Sequence, residues 1–262
     1  MITVNGFPVK PTIFPDGTSQ IWKLPDGLFD EERINIDWNF ESERELIDLY
    51  SINALIPKGK VTSLHIPYMP YARQDKEIGN KNTFNLYVFA GLLNMLCFDS
   101  ITAMDVHNPE LTKHLIKNFR NYSVTSIHNN LIDCIKPNYL VFPDKGASDR
   151  YSYLNGMRIP ILVFDKYRHQ GSGTITEHKI VSGMTGDRLP YGSKFLVIDD
   201  LCDGGATFIS IAKVLKKICL DPDLYLYVTH GGFSKGREVL TDVGYKLFTT
   251  DSLIKNVEGF KV

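Results

Sequence analysis

The chain has 262 residues, 43% of them hydrophobic and 23% charged, which is enough apolar content to bury one large core or two smaller ones. Its 29 basic and 30 acidic residues leave a net charge of -1, which argues against a nucleic acid or an anionic membrane as a partner. No apolar run reaches the roughly 20 residues of a membrane-spanning helix, and the N-terminal sequence lacks a basic segment followed by an apolar one, so we expect a cytoplasmic protein.

Short apolar runs rich in β-branched and aromatic residues alternate with helical patterns in the first half of the chain. The sequence predicts strands at 61–68, 100–107 and 122–128, with helices at 83–95 and 109–118 between them. Strands separated by helices are typical of parallel sheets that carry helices on both faces. The first half is therefore predicted to form an α/β domain.

The second half of the chain repeats this rhythm. Strands are predicted at 139–144, 159–165, 195–200, 224–230 and 245–250, with helices near 149–154 and at 205–217. The segment 129–138 interrupts the pattern, so we predict two domains, 1–130 and 131–262, each a mainly parallel sheet flanked by helices. The four cysteines are widely separated and have no Cys-x-x-Cys spacing, which favours buried free thiols over disulfides or a metal site.

One strand end combines two adjacent carboxylates with a glycine-rich turn. Asp199 and Asp200 close a predicted strand, and the turn that opens the next helix consists of Asp203, Gly204, Gly205, Ala206 and Thr207. In parallel α/β sheets ligands bind beyond the carboxyl ends of the strands, where the free N–H groups and dipole of a helix attract an anion. The turn is therefore a candidate phosphate cradle.

The glycines of this turn let the main chain approach a phosphate closely, and Thr207 can donate its hydroxyl. Asp199 and Asp200 would repel a phosphate that they touched, so they are better suited to bind ribose hydroxyls, or Mg²⁺ through water. For this stretch taken alone, an ordinary strand-to-helix turn with an Asp N-cap is the alternative interpretation.

Six segments together resemble a known enzyme family. VIDDLCDGGATF (197–208) resembles the ribose-phosphate loop of type I phosphoribosyltransferases. Five others resemble one branch of that superfamily, the ribose-phosphate diphosphokinases or phosphoribosyl diphosphate (PRPP) synthetases. These segments are IPYMPYARQDK (66–76), MDVHNPEL (104–111), FPDKGASDR (142–150), VFDKYR (163–168) and YVTHGGFSKG (227–236). Each motif is weak alone, but five in family order are specific. The resemblance implies two phosphoribosyltransferase-like α/β domains.

The resemblance also implies a reaction, the transfer of the β,γ-diphosphate of Mg-ATP to the anomeric hydroxyl of ribose 5-phosphate. The products would be AMP and PRPP, which feeds nucleotide synthesis. Negative charge grows on the phosphoryl oxygens and on the leaving AMP, so cations and positioning should supply most of the catalysis. Lys166 and Arg168 match the catalytic residues at the head of a closing loop, HQGSGTITEH (169–178). In an extended segment both side chains point to one face.

Five residues match the ATP-binding positions of the family, namely Phe14, Asp16, Arg73, Gln74 and His107. Arg73 and Gln74 match residues that hold the phosphates and adenine of ATP. Phe14 and Asp16, in IFPDG, resemble a hairpin through which one subunit reads the adenine bound to its neighbour. If these roles carry over, the working unit is a homo-oligomer, at least a dimer.

His107 matches the family position that coordinates Mg²⁺ at the ATP phosphates. The resemblance gives it Asp144, from the second domain, as its partner ligand, and places Asp105 nearby. Because Mg²⁺ prefers oxygen ligands, an imidazole is unusual, and a hydrogen-bonded or capping histidine is the alternative interpretation.

Two departures from the family pattern bear on substrate choice. Thr18 stands where the family hairpin has Glu, so adenine recognition is expected to be looser. Gly204 stands where the family loop has Thr, which removes a hydroxyl donor to the 5′-phosphate, a loss of about 1.5–3 kcal/mol. Such a site suggests a 5′-extended ribose as an alternative acceptor. ADP-ribose is the best candidate, giving ADP-ribose 1-diphosphate for NAD⁺ resynthesis.

The sequence is also shorter at both ends than usual for the family, so we expect no allosteric regulation by ADP or phosphate.

Two other function classes remain open. A phosphoribosyltransferase would use the same loop to consume PRPP, but it gives no reason for the segment at 66–76 or for the Asp-Lys-Tyr-Arg motif. A catalytically silent regulator on this scaffold would be expected to have lost Lys166, Arg168 or His107, and all three are present.

Overall fold

The computed structural model describes residues 1–79, 81–168, 175–184 and 186–253; for 29, 166–168 and 175–177 it describes the backbone alone. The chain divides into two compact units, Met1–Ser123 and Val124–Val262. None of the helices in these described ranges is long and apolar enough to cross a membrane.

The first unit is built on a mainly parallel sheet. Its strands in the described residues are β1 Ile2–Val4, β2 Phe7–Val9, β3 Thr12–Ile13, β4 Ser19–Gln20, β5 Arg33–Trp38, β6 Val61–Ile66, β7 Ser100–Met104 and β8 Phe119–Tyr122. Its helices there are α1 Arg44–Leu55, α2 Asn85–Met95 and α3 Pro109–Leu115. The sheet order is β2-β1-β5-β6-β7-β8, with β5 to β8 parallel and β1 antiparallel to both neighbours, while β3 and β4 form a separate hairpin.

Residue periodicity explains how this sheet is covered. Strand β5 alternates between exposed or half-buried and buried positions, which directs Ile34, Ile36 and Trp38 into the core. Helix α2 buries Leu86, Phe89, Ala90 and Leu93, at the i, i+3, i+4, i+7 spacing of one helical face. The packed helices fix the carboxyl ends of β6 and β7, from which the candidate ATP-binding and metal-binding segments emerge.

The second unit is also a mainly parallel sheet with helices. Its strands in the described residues are β9 Tyr139–Phe142, β10 Ile161–Arg168, β11 Ile175–Ser182, β12 Lys194–Cys202, β13 Asp223–Gly231 and β14 Tyr245–Thr249. Its helices there are α4 Thr125–Ile135, α5 Lys145–Arg150, α6 Ala206–Ile218 and α7 Glu238–Thr241, with a 3-10 helix at Ser152–Met157. The sheet order is β11-β10-β9-β12-β13-β14, and only β11 is antiparallel within this described sheet.

Strand β12 lies at the centre of this sheet, and its residues from Phe195 to Asp200 are all buried. A central parallel strand is covered on both faces, so a continuous apolar run is expected there. Helix α6 packs with Phe208, Ile211, Ala212 and Leu215, again one helical face. The predicted fold class, two mainly parallel sheets flanked by helices, is confirmed.

The segment between the two units differs from its prediction. The strand predicted at 122–128 was wrong, because β8 ends at Tyr122 and helix α4 begins at Thr125. The residues that α4 buries lie at helical spacing, namely His128, Leu131, Ile132 and Ile135. The predicted interruption at 129–138 overlaps this helix, and the two compact units divide between Ser123 and Val124.

Smaller differences concern three other predictions. The helix predicted near 149–154 begins earlier, at Lys145, because the Asp144 side chain caps it by accepting a hydrogen bond from the Ala147 N–H. The loop predicted to run to residue 178 gives way to strand β11 at Ile175. All four cysteines are free; Cys202 and Cys219 are buried as predicted, whereas two lie exposed, Cys97 just after α2 and Cys134 on α4.

Candidate functional site

The acid pair and the glycine turn lie on one strand–turn–helix unit of the second unit. Asp199 and Asp200, near the end of β12, are only 8% and 2% exposed. Gly205 is the N-cap of α6 and has φ of 75°, a left-handed conformation that favours glycine. The N–H groups of the first helical turn have no acceptor within the helix. All seven predicted ribose-phosphate residues are thus on one strand end and turn, with Asp203 and Ala206 exposed to solvent.

A buried arginine contacts both carboxylates. The Nη1 atom of Arg150 lies 2.9 Å from Oδ1 of Asp200 and 3.6 Å from Oδ1 of Asp199. Burial, followed by the charge of Asp200, raises the pKa of the Asp199 carboxyl well above its ordinary value, and the Arg150 charge opposes that shift. Arg150 ends the segment 142–150 but was not predicted as a site residue. Its only sequence signal is that two adjacent buried acids require a cation.

Asp144 caps the same helix that Arg150 ends. Its Oδ1 accepts a hydrogen bond of 2.9 Å from the Ala147 N–H, so the carboxylate is fixed at the carboxyl end of β9. A six-residue helix, α5, therefore connects the predicted metal ligand with the cation of the acid pair. Both ends of this helix stand at the carboxyl edge of the sheet, as expected for residues that contact a ligand.

The segment 227–236, which contains Thr229, His230 and Gly231, packs directly against the glycine turn. The N–H groups of Gly232 and Phe233 donate to the Cys202 carbonyl at 2.8 and 3.2 Å. A Cβ at Gly231 would lie 2.3 Å from the Phe233 ring, so this close approach requires glycine. His230 is buried, and its Nδ1 lies 2.7 Å from Oγ of Ser252. The stretch thus supports the backbone at the start of the turn.

Lys235, near the end of this segment, lies beside the turn. A Cβ at position 204 would lie 3.4 Å from both Cδ and Cε of Lys235, so the methylene chain of the lysine occupies the space beside Gly204. Lys235 is exposed and was not predicted as a site residue. Its position depends on the return of the chain after β13, which no local pattern reveals.

In the first unit, Arg73 and Gln74 lie exposed on the irregular segment after β6. Hydrogen bonds hold both the side chain and the backbone of Gln74. Its side-chain Oε1 accepts from Nδ2 of Asn85, and its backbone carbonyl accepts from the Leu86 N–H at 3.2 Å. Tyr71, just before them, has φ of 62°, an uncommon conformation for a bulky residue. The segment is thus fixed against the start of α2.

His107 follows β7 and lies close in sequence to two anchored residues. Asp105 is buried and has φ of 44°. Asn108 caps α3 by accepting from the Leu111 N–H at 3.2 Å, and its Nδ2 donates to Oδ2 of Asp75 at 3.1 Å. This second bond links the predicted ATP-binding segment to the predicted metal-binding segment. Asn108 and Asp75 were not predicted as site residues, and their link joins positions far apart in sequence.

The predicted hairpin is formed by β3 and β4, with Phe14 and Asp16 at its tip. Oδ1 of Asp16 accepts hydrogen bonds from the Thr18 hydroxyl at 2.7 Å and from the Thr18 N–H at 3.0 Å. These two bonds lower the pKa of the Asp16 carboxyl. Thr18, the departure from the family pattern, therefore engages the carboxylate at the tip.

The remaining predicted residues concern the metal and the catalytic cations. His107 belongs to the first unit and Asp144 to the second, and their sharing of a cation stays a prediction. In the described ranges no group of three or more His, Cys, Asp or Glu side chains is arranged to hold a metal ion. Mg²⁺ usually takes one or two protein carboxylates together with substrate phosphates, so the Asp144 carboxylate fits a cation that arrives with ATP. The backbone of Lys166 and Arg168 ends β10, while their side chains and residues 169–174 lie outside the described structure.

Comparisons with known proteins find sequence relatives that share one enzyme name. No protein-family model matches the sequence. A ribose-phosphate pyrophosphokinase of Pyrococcus abyssi is 27% identical over 227 residues, 85% of this chain and 76% of the relative. One of Corynebacterium glutamicum is 28% identical over 214 residues, 77% and 62% of the two chains. The crystal structure of phosphoribosylpyrophosphate synthetase from Mycobacterium smegmatis superposes with a TM-score of 0.75 and 20% identity, over 96% of this chain and 82% of that one. The predicted resemblance is confirmed.

Proposed function

We infer that the chain is a homologue of the ribose-phosphate pyrophosphokinases, with the fold of a PRPP synthetase. On that premise we propose that it transfers the β,γ-diphosphate of Mg-ATP to the anomeric hydroxyl of ribose 5-phosphate, giving PRPP and AMP. The observation that supports this best is the β12–α6 turn, where buried carboxylates and an open helix N-terminus lie side by side. A sugar phosphate offers hydroxyls to the first and a phosphate to the second.

In this proposal the acceptor is held by the second unit. The turn from Asp203 to Thr207 binds the 5′-phosphate through backbone N–H groups and the Thr207 hydroxyl. Asp199 and Asp200 accept hydrogen bonds from the ribose hydroxyls. The anomeric oxygen then attacks the β-phosphorus of ATP and the bond to the α-phosphate oxygen breaks, so AMP leaves and the hydroxyl proton is released.

The donor nucleotide is assigned to the first unit. Arg73 and Gln74 bind ATP, and His107 with Asp144 would hold the Mg²⁺ that accompanies its phosphates, where the cation neutralises negative charge. Phe14 and Asp16 contact adenine bound by a neighbouring subunit, which makes the working unit at least a dimer. Lys166 and Arg168 stabilise the charge that develops on the transferred diphosphate and on AMP.

A second acceptor, ADP-ribose, is favoured by the surroundings of Gly204. The turn lacks a hydroxyl at this position, and the methylene chain of Lys235 fills the adjacent space. A lysine there places a flexible cation beside the phosphate cradle. A 5′-diphosphate ester carries a second negative phosphate that such a cation can bind, whereas a terminal phosphate does not extend beyond the cradle.

A mass-spectrometric assay distinguishes these functions. Mg-ATP is offered with ribose 5-phosphate and with ADP-ribose in separate reactions, and each is analysed for a gain of diphosphate together with AMP. Product from ribose 5-phosphate supports the first proposal, and product from ADP-ribose alone supports the second. No product from either acceptor would overturn both and would leave a phosphoribosyltransferase or a silent regulator.

A further inference from the structure

The second unit contains a charge cluster in which one cation contacts two adjacent acids. The side chains of Arg150, Asp199 and Asp200 are 10%, 12% and 3% exposed, so all three are largely removed from water. Burying charges is costly unless they are paired and hydrogen-bonded. Without the arginine, two carboxylates at consecutive positions would repel each other in a poorly hydrated site. The cluster therefore depends on Arg150 for its charge balance.

The same cluster fixes the direction of the Asp199 carboxylate. Consecutive side chains of a strand normally point to opposite faces of the sheet. Here Oδ1 of Asp199 accepts a 2.9 Å hydrogen bond from the Asp200 N–H, which turns the carboxylate along the backbone. Nη1 of Arg150 then lies 3.6 Å from that same oxygen and 2.9 Å from Asp200 Oδ1. Both acids are thus oriented around one guanidinium nitrogen.

Arg150 lies beside an aromatic ring, at the end of a capped helix. Its guanidinium carbon lies 5.5 Å from the centre of the Tyr151 ring, and Tyr151 is buried. It ends α5, whose first turn is capped by Asp144. The Tyr151 ring restricts the guanidinium, and helix α5 restricts the backbone that carries it. A planar guanidinium restricted in this way can orient two carboxylates, which a flexible ammonium does less well.

We propose that Arg150 is a positioning residue for the sugar acceptor, holding the Asp199 and Asp200 carboxyl groups side by side in the orientation that accepts the ribose hydroxyls. This inference rests on the proposed function, in which the acid pair binds the acceptor. Arg150 acts through the carboxylates and does not contact the diphosphate. Its loss should therefore affect the acceptor and spare ATP, a pattern that general destabilisation of the fold would not produce.

The test compares Arg150→Met with Arg150→Lys in steady-state assays with Mg-ATP and whichever acceptor the unaltered protein uses. Arg150→Met should raise the KM for the acceptor by about tenfold or more, as expected for lost charged hydrogen bonds, with the KM for ATP within about twofold. Arg150→Lys should recover part of the acceptor KM. Equal acceptor KM values in all three proteins, with kcat reduced in proportion to the folded fraction, would overturn the proposal.

If Arg150→Met fails to fold, a second pair of variants keeps the test decisive. Arg150→Met with Asp200→Asn removes the unpaired charge, and it is compared with Asp200→Asn alone. A higher acceptor KM in the double variant supports positioning of Asp199 by Arg150, and equal values overturn it. Turnover of the unaltered protein in the same assay separates the proposed function from the positioning role of Arg150. No turnover would overturn the proposed function, whereas turnover with unchanged acceptor KM values would overturn only the role of Arg150.

Discussion

The first unit presents its candidate nucleotide-binding residues on exposed, irregular segments, whereas the second keeps its acid pair buried around a cation. In the first, neutral or singly charged hydrogen bonds hold the segments, such as Gln74 with Asn85 and Asp75 with Asn108. In the second, Arg150 forms ion pairs with two buried carboxylates. Exposed contacts of the first kind contribute little individually, while breaking a buried charge cluster is costly.

This difference suggests a division of labour between the units. A flexible donor such as Mg-ATP brings its own charge and cation, so its site can be adjusted when it binds. A small sugar phosphate offers few contacts, and its reactive hydroxyl must be placed accurately for in-line attack. We therefore expect substitutions in the second unit to have larger and more specific effects than those in the first. Four predictions test this, from the largest effect to the smallest.

Lys166→Ala should cause the largest loss. Removing a cation that stabilises transition-state charge typically lowers kcat by about 100-fold or more, while ATP binding, which uses other residues, should persist. The measurement is kcat by AMP release together with ATP affinity by calorimetry. Lys213→Ala, an exposed lysine on α6, is the matched control and should retain activity. Unchanged turnover in Lys166→Ala would remove this residue from the mechanism.

The second prediction concerns pH and the stability of the second unit. His128 is fully buried among Tyr151, Tyr153 and Tyr227, and this burial lowers its pKa from 6.5 to about 4. Because the unfolded chain binds the proton more tightly, stability falls as pH drops below 6.5. The expected loss from this group is about 2 kcal/mol between pH 7.5 and pH 5.

Urea unfolding of the unaltered protein and of His128→Gln at both pH values tests this. Glutamine can still hydrogen-bond the Tyr153 hydroxyl, which lies 2.8 Å from Nδ1 of His128, but it does not titrate. The variant should be less stable at pH 7.5 and lose about 2 kcal/mol less on acidification. Equal losses in the two proteins would show that other groups control the acid sensitivity.

The third prediction asks whether the acceptor site extends beyond the cradle. Lys235→Ala should lower kcat/KM for ADP-ribose about tenfold, the effect of one charged hydrogen bond, and change that for ribose 5-phosphate much less. Lys213→Ala again serves as the control, since it removes an exposed lysine of α6 outside the turn. Equal effects on both acceptors, or none, would contradict a role for Lys235 in choosing between them.

Local patterns predicted most of the fold and the centre of the acceptor site. The alternation of apolar runs and helical stripes identified β6, β7, β12, β13 and α6, because each buries a face of regular period. The segment 122–128 was misassigned because Val124, Thr125 and Ile127 favour strands, whereas the buried face of α4 continues at helical spacing to Ile135. Tertiary packing of that face overrides the local preference.

The unpredicted site residues all depend on contacts between distant parts of the chain. Arg150 meets Asp199 across about 50 positions of sequence, Asp75 meets Asn108 over 33, and Lys235 lies over Gly204. A strand end with acids and glycines is visible in one short segment, so the turn could be recognised. Arg150, which balances those acids, and Lys235, beside the turn, are placed there by the fold of the chain. The spacing of residues in the sequence does not predict either position.

The smallest effect is expected at the hairpin of the first unit. The Thr18 hydroxyl donates to Oδ1 of Asp16 at 2.7 Å, but the carboxylate is fully exposed, so water can replace the lost donor. Thr18→Ala should therefore change the KM for ATP by less than about threefold. Thr12→Ala is the matched control, because its hydroxyl accepts from the Trp22 indole and not from the tip. Thr18→Glu, which restores the family residue, should increase the preference for ATP over GTP. Thr18→Glu could instead leave the preference for ATP unchanged while Asp16→Asn abolishes it. Adenine would then be recognised by Asp16 without help from position 18, and the expectation that Thr18 loosens adenine recognition would be wrong.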